Sequence, residues 1–140
     1  MNPIIFAILA ALAFGFWTIF HRLAAPHINQ TFGAILVSLV AVILGVLVFW
    51  LQRKPEQLVT NPKGIIFVVL AGLMAFLIDY FALKTYGSGL SVTVGGPIII
   101  GGSIAVAIIL GFLIGDAISA IKIFGLLLIM AGAAILAAHQ

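Results

Sequence analysis

Cysteine is absent from the 140 residues, which excludes a disulfide framework, a thiolate nucleophile and a cysteine-based metal site, and leaves the redox compartment unread. Charge is almost absent too. Six Lys and Arg and three Asp and Glu make up 6 % of the chain, against roughly a quarter in an ordinary soluble domain. With 65 % of residues apolar, there is too little polar surface to cover a water-soluble globule of this length. A soluble enzyme is excluded on that ground. So is a separate soluble domain, because each bilayer crossing uses roughly 20 residues and the chain is spent on crossings and short links. The net charge of +3 rests on so few groups that it describes loops beside a membrane surface and not a nucleic-acid-binding patch.

Catalytic signatures are also missing. There is no G-x-S-x-G, no H-E-x-x-H and no phosphate-cradling G-x-x-x-x-G-K, and Gly87-Ser88-Gly89 reads as a tight turn. His21, His27 and His139 lack ligand spacing and sit at the ends of apolar runs, so no metal site and no cofactor is expected.

What is present is five long apolar segments, 3–23, 32–51, 65–86, 90–114 and 118–138, separated by the clusters of Pro, Gly and charge. At 1.5 Å per residue each reaches about 30 Å, the thickness of a bilayer core. The links are 24–31 with Pro26 and His27, 52–64 with Pro55 and Pro62, 87–89 and 115–117. They are short enough to make sequential helices antiparallel neighbours. The first segment has no basic leader and no A-x-A-like cleavage site, and four similar segments follow it, so it is expected to be a mature helix and not a signal peptide. The expected fold class is all-α, a single transmembrane domain over 1–140 built as a five-helix bundle.

Small residues at helical spacing mark faces where backbones can approach closely, which is what packs helices in lipid. Such stripes are Ala34, Ser38, Ala41 and Gly45 in the second segment, Ser103, Ala107, Gly111 and Gly115 in the fourth, and Gly125, Ala131, Gly132, Ala134 and Ala138 in the fifth. Two stripes change character partway: Ala7, Ala10, Phe14, Trp17, His21 and Gly72, Ala75, Asp79, Ala82, Tyr86 each keep the rhythm of one helix face. Counting from the segment midpoints puts Trp17 and Asp79 about 5–6 Å past the membrane midplane, towards the same side, with Gly95, Gly96 and Pro97 about 7–10 Å out on that side as well.

Asp79 is the acid well inside a span, and a lone carboxylate there costs several kcal/mol or protonates, so it needs a partner or a task. Two readings stand. In one, Asp79 titrates or binds a cation in an internal cavity; in the other it forms a structural pair with Lys84, Arg22 or His21. Trp17, Phe14, Tyr80 and Tyr86 could line a chamber, since an aromatic face beside a carboxylate receives organic cations. Trp50 and Tyr86 are expected in the interfacial aromatic belt. Pro97 after Gly95-Gly96 removes a backbone hydrogen bond, which predicts a loosened or hinged fourth helix. Asp116 reads as a helix-start group of the fifth segment, where a negative charge suits the helix dipole.

These residues together resemble the EamA-type domain of the drug/metabolite transporter superfamily. The carrying stretches are FGFWTIFHRLA at 14–24, then Pro97, then LGFLIGDAISAIKIFGLLLIMAGAAIL at 110–136 with Gly115-Asp116, Gly125 and Gly132. Asp116 stands where glutamate is commoner in the family. The resemblance implies a transporter of small organic solutes, with four helices around a chamber and a fifth that helps halves associate. Many members join two such domains, oppositely oriented, in one chain. This chain has one, and is in that respect similar to the four-helix small multidrug resistance proteins, which act as antiparallel pairs. It lacks their first-helix acid, so Asp79 is not a residue-for-residue equivalent of their coupling glutamate.

The expected function is therefore a secondary transporter of small metabolites or of amphipathic and cationic compounds, working by alternating access. Its expected substrate-binding residues are Phe14, Trp17, His21, Asp79, Tyr80 and Pro97. Because transporters of this kind exchange inverted halves around a midplane site, one five-helix copy supplies half. An antiparallel homodimer packed through Gly111, Gly115, Gly125 and Gly132 is expected, with a heterodimer with a paralogous half as the alternative. The expected setting is the lipid bilayer of the cell membrane. Lys and Arg divide four (Arg53, Lys54, Lys63, Lys122) to two (Arg22, Lys84), a shallow bias towards a cytoplasmic N-terminus that leaves both orientations accessible. A reading from a different class also fits the composition: a non-transporting membrane subunit that stabilises or regulates another complex.

Overall fold

The computed structural model describes residues 3–52, 61–115, 117 and 119–138, the side chain of 62 excepted. Among them the chain forms five α-helices and no strand: α1 Pro3–Ala24, α2 Gln30–Gln52, α3 Pro62–Gly87, α4 Val92–Leu113 and α5 Ala120–Ala138. All five are long and apolar enough to cross a membrane, so the chain is an all-α, multi-pass membrane protein. Asp116, expected to start the fifth helix, lies outside the described residues, as do His139 and the basic pair Arg53 and Lys54.

Local chemistry sets the ends of these helices. At the start of α2 the Asn29 side-chain oxygen accepts from the Thr31 and Phe32 backbone N–H groups at 3.0 and 3.2 Å, an N-cap that satisfies donors with no partner inside the helix. Asn61 does the same for Lys63 at 2.9 Å, with Pro62 at the first helical position, where its missing N–H costs nothing. This cap draws α3 three residues further back than the apolar run alone predicts. The turn between α3 and α4 uses Gly89 at φ +96°, and Gly115, two residues past the end of α4, has φ +99°, left-handed conformations that residues with a Cβ adopt only at a cost. Helix α4 runs through Pro97 without a break, so the expected loosening does not interrupt it.

The chain divides into two compact units: residues 1–19 with 88–140, and residues 20–87. In the first unit α4 packs on α5 through Gly101, where an added Cβ would lie 3.3 Å from the Ile129 side chain and 3.6 Å from that of Ala133. The buried face of α4 is Val94, Gly95, Gly96, Gly101 and Gly111. Of the small-residue stripe anticipated there, Gly111 belongs to this face, while Ser103, Ala107 and Gly115 are exposed. Helix α5 buries no residue. In the second unit α2 packs on α3, and the buried positions gather at the start of α2 and the end of α3. Elsewhere the large apolar side chains point outward, among them Phe16, Phe49, Val68, Leu113 and Ile121. That surface is covered by lipid, where backbone groups are satisfied within each helix.

A buried acid–imidazole pair

In the second unit, α3 turns one face inward over its last two turns. Asp79, Ala82, Leu83 and Tyr86 are buried while Phe81 and Lys84 between them are exposed, the spacing of one helix stripe. Small residues meet that face. Gly33 and Ala34 of α2 are buried, and a Cβ at Gly33 would sit 2.6 Å from Leu83 Cδ1, so the leucine fits only because position 33 has no side chain. Ala25, just past α1, is buried as well.

Within this layer the His21 Nε2 lies 3.1 Å from Asp79 Oδ1, with 4 % and 10 % of the two side chains exposed. The approach is an ion pair by distance, with Nε2 outside hydrogen-bond alignment. Of the three bases that could face Asp79, His21 brings its imidazole to ion-pair distance. Arg22 instead donates from Nη1 to the Tyr86 carbonyl at 3.4 Å, a long bond that places a cation at the C-terminal end of α3, where the helix dipole favours it. Lys84 Nζ lies over the Tyr80 ring, 5.9 Å from its centre, within reach of the ring's quadrupole.

The pair solves the problem that a carboxylate at membrane depth poses. An imidazolium opposite a carboxylate leaves no net charge, and one proton passed between them gives two neutral groups, so the cost of burial is contained in either form. Take either partner away and the other must find a new counter-ion, a proton or a charged ligand. Among the described residues no three His, Cys, Asp or Glu side chains gather to hold a metal ion.

Tyr80 lies in the same unit as the pair, and Phe14, Trp17 and Pro97 lie in the first unit. Phe14 and Trp17 stack with ring centres 4.9 Å apart at 25°, and both are half-buried. Thr18 Oγ1 donates to the Phe14 carbonyl at 2.9 Å, which leaves its methyl to meet α4. There a Cβ at Gly96 would stand 3.4 Å from Thr18 Cγ2. Pro97 is half-buried. The structure thus joins His21 to Asp79 in one unit and Phe14 to Trp17 in the other. Of the glycines expected to pack a dimer, Gly111 is buried within its own unit, Gly125 is half-buried, and Gly115 and Gly132 are exposed.

Of the two readings open for Tyr86, an inward chamber-lining place and the interfacial belt, its burial fits the first. Tyr86 is 0 % exposed, where an interfacial belt residue keeps its ring at the headgroup level. The signal was in the stripe itself, since Tyr86 continues the Asp79, Ala82 face by one further turn. Leu83 and the Gly33 seat that receives it left no trace in the small-residue pattern.

Comparison with curated proteins and with solved structures returned no match. Against families, the description that fits is the EamA-like transporter family, and it fits from residue 1 to residue 138. A match over nearly the whole chain, on five spanning helices with an acid held inside one of them, settles the family: this chain belongs to the EamA-like transporters of the drug/metabolite superfamily.

Proposed function

We propose that the chain moves small organic cations or amphipathic metabolites across the cell membrane by alternating access, as one half of an antiparallel homodimer, with Asp79 as the group that holds the substrate's positive charge. The observation that carries this reading is the buried His21–Asp79 pair. A carboxylate kept at membrane depth opposite a titratable base exchanges one counter-ion for another at little cost, and a cationic solute is such a counter-ion. In the same reading Tyr80, one residue on from Asp79, supplies an aromatic wall beside the pair. The exposed Gly115 and Gly132 remain accessible to a second copy.

Asp79→Asn tests it, because the amide keeps the shape and loses the charge. Purified protein in proteoliposomes should take up alkylammonium ions at least roughly tenfold more slowly, the worth of a charge-assisted contact, while the circular-dichroism melt stays that of a folded helical protein. Unchanged uptake in a well-folded variant would sink the reading. The competing reading, a non-transporting subunit in which the pair is structural, draws on how closed the pair is. It expects the variant to be lost from the membrane, since His21 would be left with no counter-charge.

A further inference from the structure

We infer that the Tyr86 hydroxyl is a second polar contact of the same site, and that the preferred solute carries a hydrogen-bonding group, a hydroxyl or carbonyl, on the same molecule as its cationic group. This rests on the proposed role of Asp79.

Tyr86 is fully buried, yet its hydroxyl has no hydrogen-bond partner. A buried phenol is normally paired, because the hydroxyl loses its water on burial and regains nothing if left alone. The fold offers a simple escape that it does not take: phenylalanine would fill the same space without the polar atom. Nor does the backbone use the hydroxyl, since the contact that ties Tyr86 to its surroundings is made by its carbonyl, which accepts from Arg22.

The hydroxyl is also placed for a ligand of the acid. Asp79 and Tyr86 lie seven residues apart, two turns along the buried stripe of α3, with Ala82 between them, a Cα rise of about 10 Å. Helical side chains lean towards the N-terminus, so the long phenol of Tyr86 shortens that distance towards Asp79. Helix α2, which packs on α3, buries Gly33 and Ala34, residues with almost no side chain. One stripe of α3 therefore carries a charge-bearing pair at one end, a hydroxyl at the other and the small Ala82 between them. A solute with an ammonium and a hydroxyl would satisfy both ends, and one with the ammonium alone would leave the phenol without a partner.

The test is a matched set of probes on the full chain in detergent: ω-hydroxyalkylammonium ions of three to eight carbons, and alkylammonium ions of the same length without the hydroxyl. Affinities are read from ligand-dependent thermal shift. In the wild-type protein at least one hydroxylated probe should bind roughly 3- to 10-fold tighter than its alkyl match, the worth of one neutral hydrogen bond. Tyr86→Phe should erase that difference while leaving the alkyl affinity unchanged, and its unliganded melt should be equal to or higher than wild type. Equal affinities for both probes across the series, in a protein whose binding still depends on Asp79, would overturn the role of Tyr86 and leave the transport reading standing. Binding of neither series, or binding indifferent to Asp79→Asn, would overturn the transport reading and this inference with it. The wild-type comparison needs no variant, so a Tyr86→Phe protein that failed to fold would not shield the proposal.

Discussion

Gly33 and Leu83 fit together as a seat and its occupant. With 2.6 Å between a would-be Cβ and Leu83 Cδ1, an added methyl has to push aside a side chain that is 2 % exposed and held among other buried groups. Gly33→Ala should therefore destabilise the chain by about 1–3 kcal/mol, the usual cost of overpacking, measured as a lowered thermal midpoint in detergent. Leu83→Ala alone should also destabilise, by leaving a gap. The double variant should recover part of the loss, since each change makes room for the other, and purely additive losses would show that the two residues do not share the space. The sequence made Asp79 conspicuous because an acid inside an apolar run has few explanations. It left the partner open among three bases, since spacing along one helix says nothing about which side chain of another helix arrives opposite. His21 holds that place because it and Asp79 are carried to one buried layer, whereas Arg22, next in sequence, points about 100° round α1 and meets the end of α3.

At the scale of the helix, the spans were legible because twenty apolar residues in succession leave the bilayer as almost the sole solvent for them. Their ends were less so. Asn61-Pro62 looks like the tail of a polar link until its capping role is recognised, and α3 gains nearly a turn from it. Asn29 repeats the device on α2. Replacing either by alanine should cost about 1 kcal/mol and should be read in hydrogen exchange as faster fraying of the first turn only. Loss of protection along the whole helix would mean that the caps carry more of the fold than a cap does. The interior face of α4 was not legible, and the reason is general. Small residues show where another helix is able to come close, and α4 has them on more than one side. Gly101 is used by α5, while Ser103 and Ala107 are left on the outer face, a choice made by tertiary packing alone.

For the molecule as a whole, five candidate spans predict two termini on opposite sides of the membrane. An antiparallel pair then requires that each side display both termini, one from each copy. Reporter fusions at either end should give mixed signals in the same cells, and single cysteines introduced near Gly115 and Gly132 should cross-link only in combinations that opposed copies allow. Both termini of every copy on one side would remove the five-span topology. Uniform orientation with parallel cross-links would remove the antiparallel pair. A strictly monomeric protein that still transports would dispense with pairing altogether.

The five helices are not equal in length. Helix α3 has 26 residues and α5 has 19, about 39 and 28 Å of rise, against a hydrocarbon layer of about 30 Å. The longer helix overshoots, so it leans, or sends Lys63 and Lys84 out towards the headgroups. The shorter is about as long as that layer is thick. A thicker bilayer would suit α3 and stretch past the ends of α5, and a thinner one would relieve α5 while forcing α3 to lean further. The acid-bearing helix is the one with length beyond the layer. The membrane's lipid composition, and not the protein alone, helps set how Asp79 is presented.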